Sequence, residues 1–162
     1  MKKVAVIMGS DSDLETMRPC MKRLSEFGVP FEVHIISAHR TPAAAEDFAS
    51  TAAQRGFGVL IAAAGKAAHL GGVLAAYTTL PVIGVPIKTS MMGGLDSLLS
   101  IVQMPKGIPV ACVAVDGADN AGILAVQMLA LEDADLTARL VDFKAHMADE
   151  VAQKDKKIQE EF

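Results

Sequence analysis

Val4-Ala5-Val6-Ile7-Met8-Gly9-Ser10-Asp11-Ser12-Asp13-Leu14-Glu15 decides the fold. Five apolar residues run without a polar break, as in a strand buried on both faces. A Gly/Ser/Asp turn follows, and Ser12-Asp13-Leu14-Glu15 has the capping-box spacing that opens a helix. That helix runs to about Phe27, where Gly28-Val29-Pro30 stops it. The unit then recurs. Residues 31–37 read as a second strand, and Thr41-Pro42 opens a second helix, with Thr as cap and Pro at the first helical position. That helix reaches about Arg55 before Gly56. A third strand spans 58–63, followed by a helix over 66–77 that Gly71-Gly72 weakens. A fourth strand spans 81–85. After a loop, a helix centres on 95–102, and Met104-Pro105-Lys106-Gly107 turns the chain. A fifth strand over 109–115 and a helix over 120–131 complete the series. Strands alternating with helices imply βαβ units and a parallel sheet with right-handed crossovers. Five short strands point to a three-layer α/β sandwich of flavodoxin-like or Rossmann-like type.

Bulk composition agrees. The 162 residues suit one domain with a real core. Hydrophobic residues make up 51% but aromatics only 4%, with nine Met and no Trp, which fits a packed α/β protein better than a β-sandwich. The mean hydropathy of +0.35 is high for a soluble monomer and favours apolar surface buried between subunits. A net charge of −4 with no Lys/Arg stripe argues against a nucleic-acid partner. Cys20 and Cys112 form no CxxC pair, so they read as reduced thiols of a cytoplasmic protein and not as a metal site. The start leads directly into a strand and leaves no room for a signal peptide. The apolar run over 59–64 is far too short to span a bilayer.

Residues 133–162 differ from the rest. Leu136, Leu140, Phe143, Met147 and Val151 mark one apolar stripe on a long helix. Residues 1–132 are therefore expected to form the flavodoxin-like domain, with 133–162 as a helical extension of it. The extension either lies on its own domain or packs on a neighbouring subunit. The arm is preferred, because five strands and their helices already complete the domain.

In open α/β sheets, ligands bind beyond the carboxyl ends of the strands, near the point where strand order reverses. An order of 2-1-3-4-5 brings together the turns 9–13, 37–42 and 63–69. Gly9 and Ser10 offer backbone N–H groups and a hydroxyl that suit a phosphate, although Ser12 also reads simply as a helix cap. Asp13 repels phosphate and suits ribose hydroxyls, or else only complements the helix dipole. In Ser37-Ala38-His39-Arg40-Thr41-Pro42, His39 is the best general acid/base, or a cap of the next helix. Arg40 suits a bidentate phosphate contact, or a surface ion pair. His69, placed one turn into a helix among small residues, reads more as structural than catalytic. His34 and His146 lack supporting context. No GxGxxG or GxxxxGK[ST] is present, which argues against dinucleotides and nucleoside triphosphates.

Val6–Asp13, Ser37–Pro42, the Ala67-Ala68-His69-Leu70 stretch, residues 80–86 and residues 94–110 together resemble the PurE family, in the right order over about residues 3–131. The pattern is similar to the family's mutase branch, which acts on N5-carboxyaminoimidazole ribonucleotide in purine biosynthesis. The carboxylase branch, which uses free CO2, differs in the third turn and the Met-Pro segment. The resemblance implies a flavodoxin-like homo-octamer without metal or organic cofactor. It implies that Ser10 and Arg40 hold the phosphate, Asp13 the ribose, and that His39 shuttles the proton. Gly9, Ser37, Ala38, Gly65, Lys66, His69 and Leu70 complete the expected substrate site. The resemblance further implies that CO2 released from the exocyclic nitrogen is held in a closed pocket until C4 captures it.

The third turn departs from the commonest family pattern, Gly-Ala-Gly-Gly-Ala-Ala-His-Leu-Pro-Gly. Here it reads Ala63-Ala64-Gly65-Lys66-Ala67-Ala68-His69-Leu70-Gly71-Gly72. Lys66 either points into solvent at a helix start or brings charge to the carboxylate pocket. Two other readings stand beside the mutase: a carboxylase taking CO2 from solution, and a non-catalytic module binding FMN or another phosphorylated ligand. The His39-Arg40 pair speaks against the last, since holding FMN needs no such base.

Overall fold

The computed structural model describes all 162 residues. Five parallel strands run in the order β2-β1-β3-β4-β5: β1 (Lys3–Met8), β2 (Phe31–Ile35), β3 (Phe57–Ala64), β4 (Val82–Pro86) and β5 (Ala111–Cys112). This is the expected flavodoxin-like sandwich. The helices are α1 (Leu14–Glu26), α2 (Pro42–Thr51), α3 (Leu70–Tyr77), α4 (Leu95–Val102), α5 (Ala118–Ala130) and α6 (Ala134–Glu161).

Alternation along the strands builds two cores. Val4, Val6 and Met8 face α1 and α5, where Met17, Cys20, Leu24, Ala121 and Ala125 are buried. Ala5 and Ile7 face α2, α3 and α4, where Phe48, Leu74 and Ile101 are buried. Small residues on α5 let it lie close to α1, and Arg23 on α1 forks onto Asp119 on α5 at 2.8 and 3.1 Å. That hydrogen-bonded pairing holds the Arg23 guanidinium even more firmly protonated than usual.

Several boundaries differ from the sequence reading. The Ser12–Glu15 capping box does not form. A single 3-10 turn over Asp11–Asp13 precedes α1, Ser10 is its cap, and Ser12 donates its hydroxyl to Ser10 Oγ at 3.0 Å. Strand β2 stops at Ile35, because Thr41 closes a turn around Ser37. Thr41 Oγ1 accepts from Ser37 N at 3.0 Å and donates to Ser37 O at 3.0 Å. Helix α2 ends at Thr51 rather than Arg55, and Gly56 at φ 85° turns the chain into β3. Helix α3 starts at Leu70, not at residue 66, because Lys66 sits at φ 55°, where a right-handed helix cannot continue. Only Ala111 and Cys112 of the fifth strand pair with β4; Pro109 has no N–H to give to the ladder. Helix α5 begins two residues earlier than read, at Ala118.

The stripe on α6 divides in two. Leu136 is fully buried, and Leu140 and Phe143 pack on the α1/α5 core, with the Phe143 ring edge-on to Phe27 at 5.5 Å. Beyond them Met147, Val151 and Ile158 are exposed on the chain itself. No helix is long and apolar enough to cross a membrane.

Candidate active site

A cavity of about 580 Å³ opens at the carboxyl ends of β1 to β4. Parallel strands feed their loops to one edge, and the order reversal at β1 leaves a cleft there. All eleven residues singled out from the sequence line it: Gly9, Ser10 and Asp13 after β1, Ser37 to Arg40 after β2, and Gly65, Lys66, His69 and Leu70 after β3. The reading missed a fourth contribution, Ile87 to Ser90 after β4. The polar run Lys88-Thr89-Ser90 directly after a buried strand was the signal, since order 2-1-3-4-5 places it beside the third turn.

His39 and His69 form the centre of the cleft. His39 Nε2 lies 2.8 Å from His69 Nδ1, and the rings meet edge to face with centroids 4.9 Å apart. One ring donates and the other accepts, so a single proton bridges them. This places His69 in the cleft beside His39. It stands at the N-cap position of α3, not one turn inside, with its ring exposed to the cavity. His39 caps no helix; Thr41 takes the N-cap position of α2.

The remaining groups sort by side. On the β1/β2 side, Arg40 donates to Gly9 O at 3.0 Å and to Ser37 Oγ at 3.2 Å, and no carboxylate pairs with it. The guanidinium is fixed but keeps its charge available. Beside it Asp13 is only 8% exposed, and burial raises its carboxyl above the usual range, although hydrogen bonds from Ser12 and the Ser10 turn oppose that rise. On the β3/β4 side the wall joins the small residues Ala64, Gly65 and Ala67 to Lys66 and the polar run Lys88-Thr89-Ser90. No group of three or more His, Cys, Asp or Glu side chains is placed to hold a metal ion. Both cysteines are free; burial pushes the Cys20 thiol up to about 12.

Fold and cleft define a flavodoxin-like α/β protein with a polar, two-sided site built on paired histidines. The chain belongs to the AIR carboxylase family, whose description matches residues 3–150. It is 55% identical to an N5-carboxyaminoimidazole ribonucleotide mutase of Mycobacterium tuberculosis, over 97% of this chain and 90% of that one. It is 54% identical to a phosphoribosylaminoimidazole carboxylase of Candida glabrata, over 96% of this chain but 27% of that protein. Among solved structures, Treponema denticola PurE superposes with a TM-score of 0.87 at 26% identity, covering 95% of this chain and 96% of that one.

Proposed function

We propose that this chain is a mutase that converts N5-carboxyaminoimidazole ribonucleotide into 4-carboxy-5-aminoimidazole ribonucleotide in purine biosynthesis. The observation that carries this reading is the bridged His39–His69 pair, set between a fixed cation and a small-residue wall in one cleft. Ser10 and Arg40 hold the ribonucleotide phosphate, and Asp13 accepts from the ribose hydroxyls. The ring to be carboxylated then faces the histidines and the third turn.

The chemistry closes without an outside reagent. Cleavage of the exocyclic N–C bond releases CO2, its electron pair returns to nitrogen, and His39 supplies the proton that nitrogen needs. CO2 stays against the small side chains while C4 of the electron-rich ring attacks it. C4 then loses its hydrogen to His39, which restores aromaticity and the starting protonation state. Water exclusion and proximity carry the step, since CO2 lost to solvent is CO2 not recaptured. A carboxylase taking CO2 from solution is the alternative. The mutase is preferred because the chain spans 90% of the relative bearing that name and only 27% of the one named carboxylase.

The same reading extends to assembly and place. The exposed half of the α6 stripe is the arm of a homo-octamer, with Met147 and Val151 covered by a neighbouring subunit, and the enzyme works in the cytoplasm. The functional test is turnover by purified protein beside His39→Asn. Wild type forms the C4 carboxylate; His39→Asn binds the ribonucleotide but does not turn over. Wild-type activity in that variant contradicts the proposal.

A further inference from the structure

Lys66 stands where its backbone is least at ease. Its φ of 55° lies in the left-handed region, which a residue with a β-carbon disfavours and glycine adopts freely. Strain of this kind persists where the surroundings enforce it, and it gathers at functional sites. The turn is held from both sides. Ala68 N donates to Lys66 O at 2.9 Å, and Ser100 Oγ on α4 reaches the same carbonyl at 3.4 Å. A glycine would satisfy this geometry without strain, so what the chain gains here is the ammonium.

The charge pattern of the cleft says what that ammonium meets. Three permanent cations line the cavity: Arg40 on the β1/β2 side, Lys66 and Lys88 on the β3/β4 side. Asp13 is the only carboxylate in the lining, and it is buried. Neither Lys66 nor Lys88 forms an ion pair within the chain. The Lys88 backbone is tied down through its N–H to Asp116 Oδ1 at 2.8 Å, which leaves its side chain unengaged. The cleft therefore offers cationic groups at both ends with the histidine pair between them. A ribonucleotide that also carries a carboxylate is an anion at both ends, with about −2 on its phosphate near neutral pH.

We infer that Lys66, assisted by Lys88, is a specificity-determining residue that recognises the carboxylate of the bound ribonucleotide. The inference rests on the functional reading above, which gives the phosphate to Ser10 and Arg40. Lys66 holds the carboxylated ligands and contributes little to the decarboxylated one, where no anion faces it. It thereby favours commitment of the carboxylated forms over loss of the bare aminoimidazole.

The test is a pair of dissociation constants by calorimetry, for 4-carboxy-5-aminoimidazole ribonucleotide and for aminoimidazole ribonucleotide, on intact wild type, Lys66→Gly, Lys66→Gln and Lys66→Arg. Lys66→Gly removes charge and strain together; Lys66→Gln removes charge and keeps the strain. Both are expected to bind the carboxylated ligand about tenfold more weakly and the decarboxylated ligand within about twofold of wild type, the loss typical of one charge-assisted contact. Lys66→Arg keeps the preference, and in wild type the preference shrinks as salt rises. Variants that keep the full preference, that weaken both ligands equally, or that differ from each other overturn the inference. A wild type that binds neither ligand refutes the functional reading itself, and this inference with it.

Discussion

Removing His69 separates a group that does chemistry from one that positions it. His39 has one protein partner for its ring, the His69 Nδ1 at 2.8 Å, and both rings are exposed to the cavity. A positioned acid/base group contributes about 10²- to 10⁴-fold to a proton-transfer rate. A solvent-accessible hydrogen bond contributes about 0.5–1.5 kcal/mol, or about two- to tenfold. His69→Ala should therefore lower kcat by about tenfold and leave KM nearly unchanged, while His39→Asn lowers kcat by at least about a hundredfold. His69→Asn places an amide where Nδ1 stood and should recover most of the loss. Because His69 acts through His39, the double variant His39→Asn/His69→Ala should be no slower than His39→Asn alone, a departure from additivity expected of residues working as a unit. Initial rates across pH 5–9, with product resolved by chromatography, read wild type and all four variants. A His69→Ala enzyme with wild-type kcat and pH profile, or a double variant whose losses multiply, refutes the pairing.

Three further predictions concern the scaffold. A methyl at Gly84 on β4 would lie 2.3 Å from Ile101 Cγ2 and 3.3 Å from Val110 Cγ1, against a fully buried, β-branched neighbour; Gly84→Ala should cost about 1–3 kcal/mol, seen as a lower urea midpoint at unchanged m. Asp13 is held above its usual pKa by burial, so the fold favours its protonated form, and that advantage is lost as pH rises through the raised value. Asp13→Asn should match wild-type stability near pH 3, exceed it at pH 7, and bind the ribonucleotide poorly; urea midpoints at the two pH values and one titration decide it. Cys20 is fully buried and burial pushes its thiol up to about 12, so a disulfide reagent should leave it untouched until urea unfolds the chain.

Much of this was legible in the sequence, for identifiable reasons. Unbroken apolar runs such as Val4–Met8 mark doubly buried strands, and their alternation with helices fixes a parallel sheet. The strand order then brings three turns to one cleft. What escaped the sequence was set by contacts between distant residues or by side chains overriding local signals. Nothing near His69 announces a partner thirty residues earlier. Lysine gives no hint of a left-handed backbone, so the start of α3 was read four residues early. The Thr41 hydroxyl, folded back on Ser37, ended β2 where strand propensity alone would have continued it. The Ser12 cap failed for a similar reason, since Ser10 made the turn first.

The fate of the carboxylate carbon tests the account most directly. Purified protein receives N5-carboxyaminoimidazole ribonucleotide labelled with 13C at the carboxylate, in excess unlabelled bicarbonate, and NMR reads the product. A mutase with its CO2 held against the third turn gives a C4 carboxylate that keeps the label. Product whose carboxylate carries the unlabelled carbon of the solution contradicts a closed pocket and makes the chain a carboxylase.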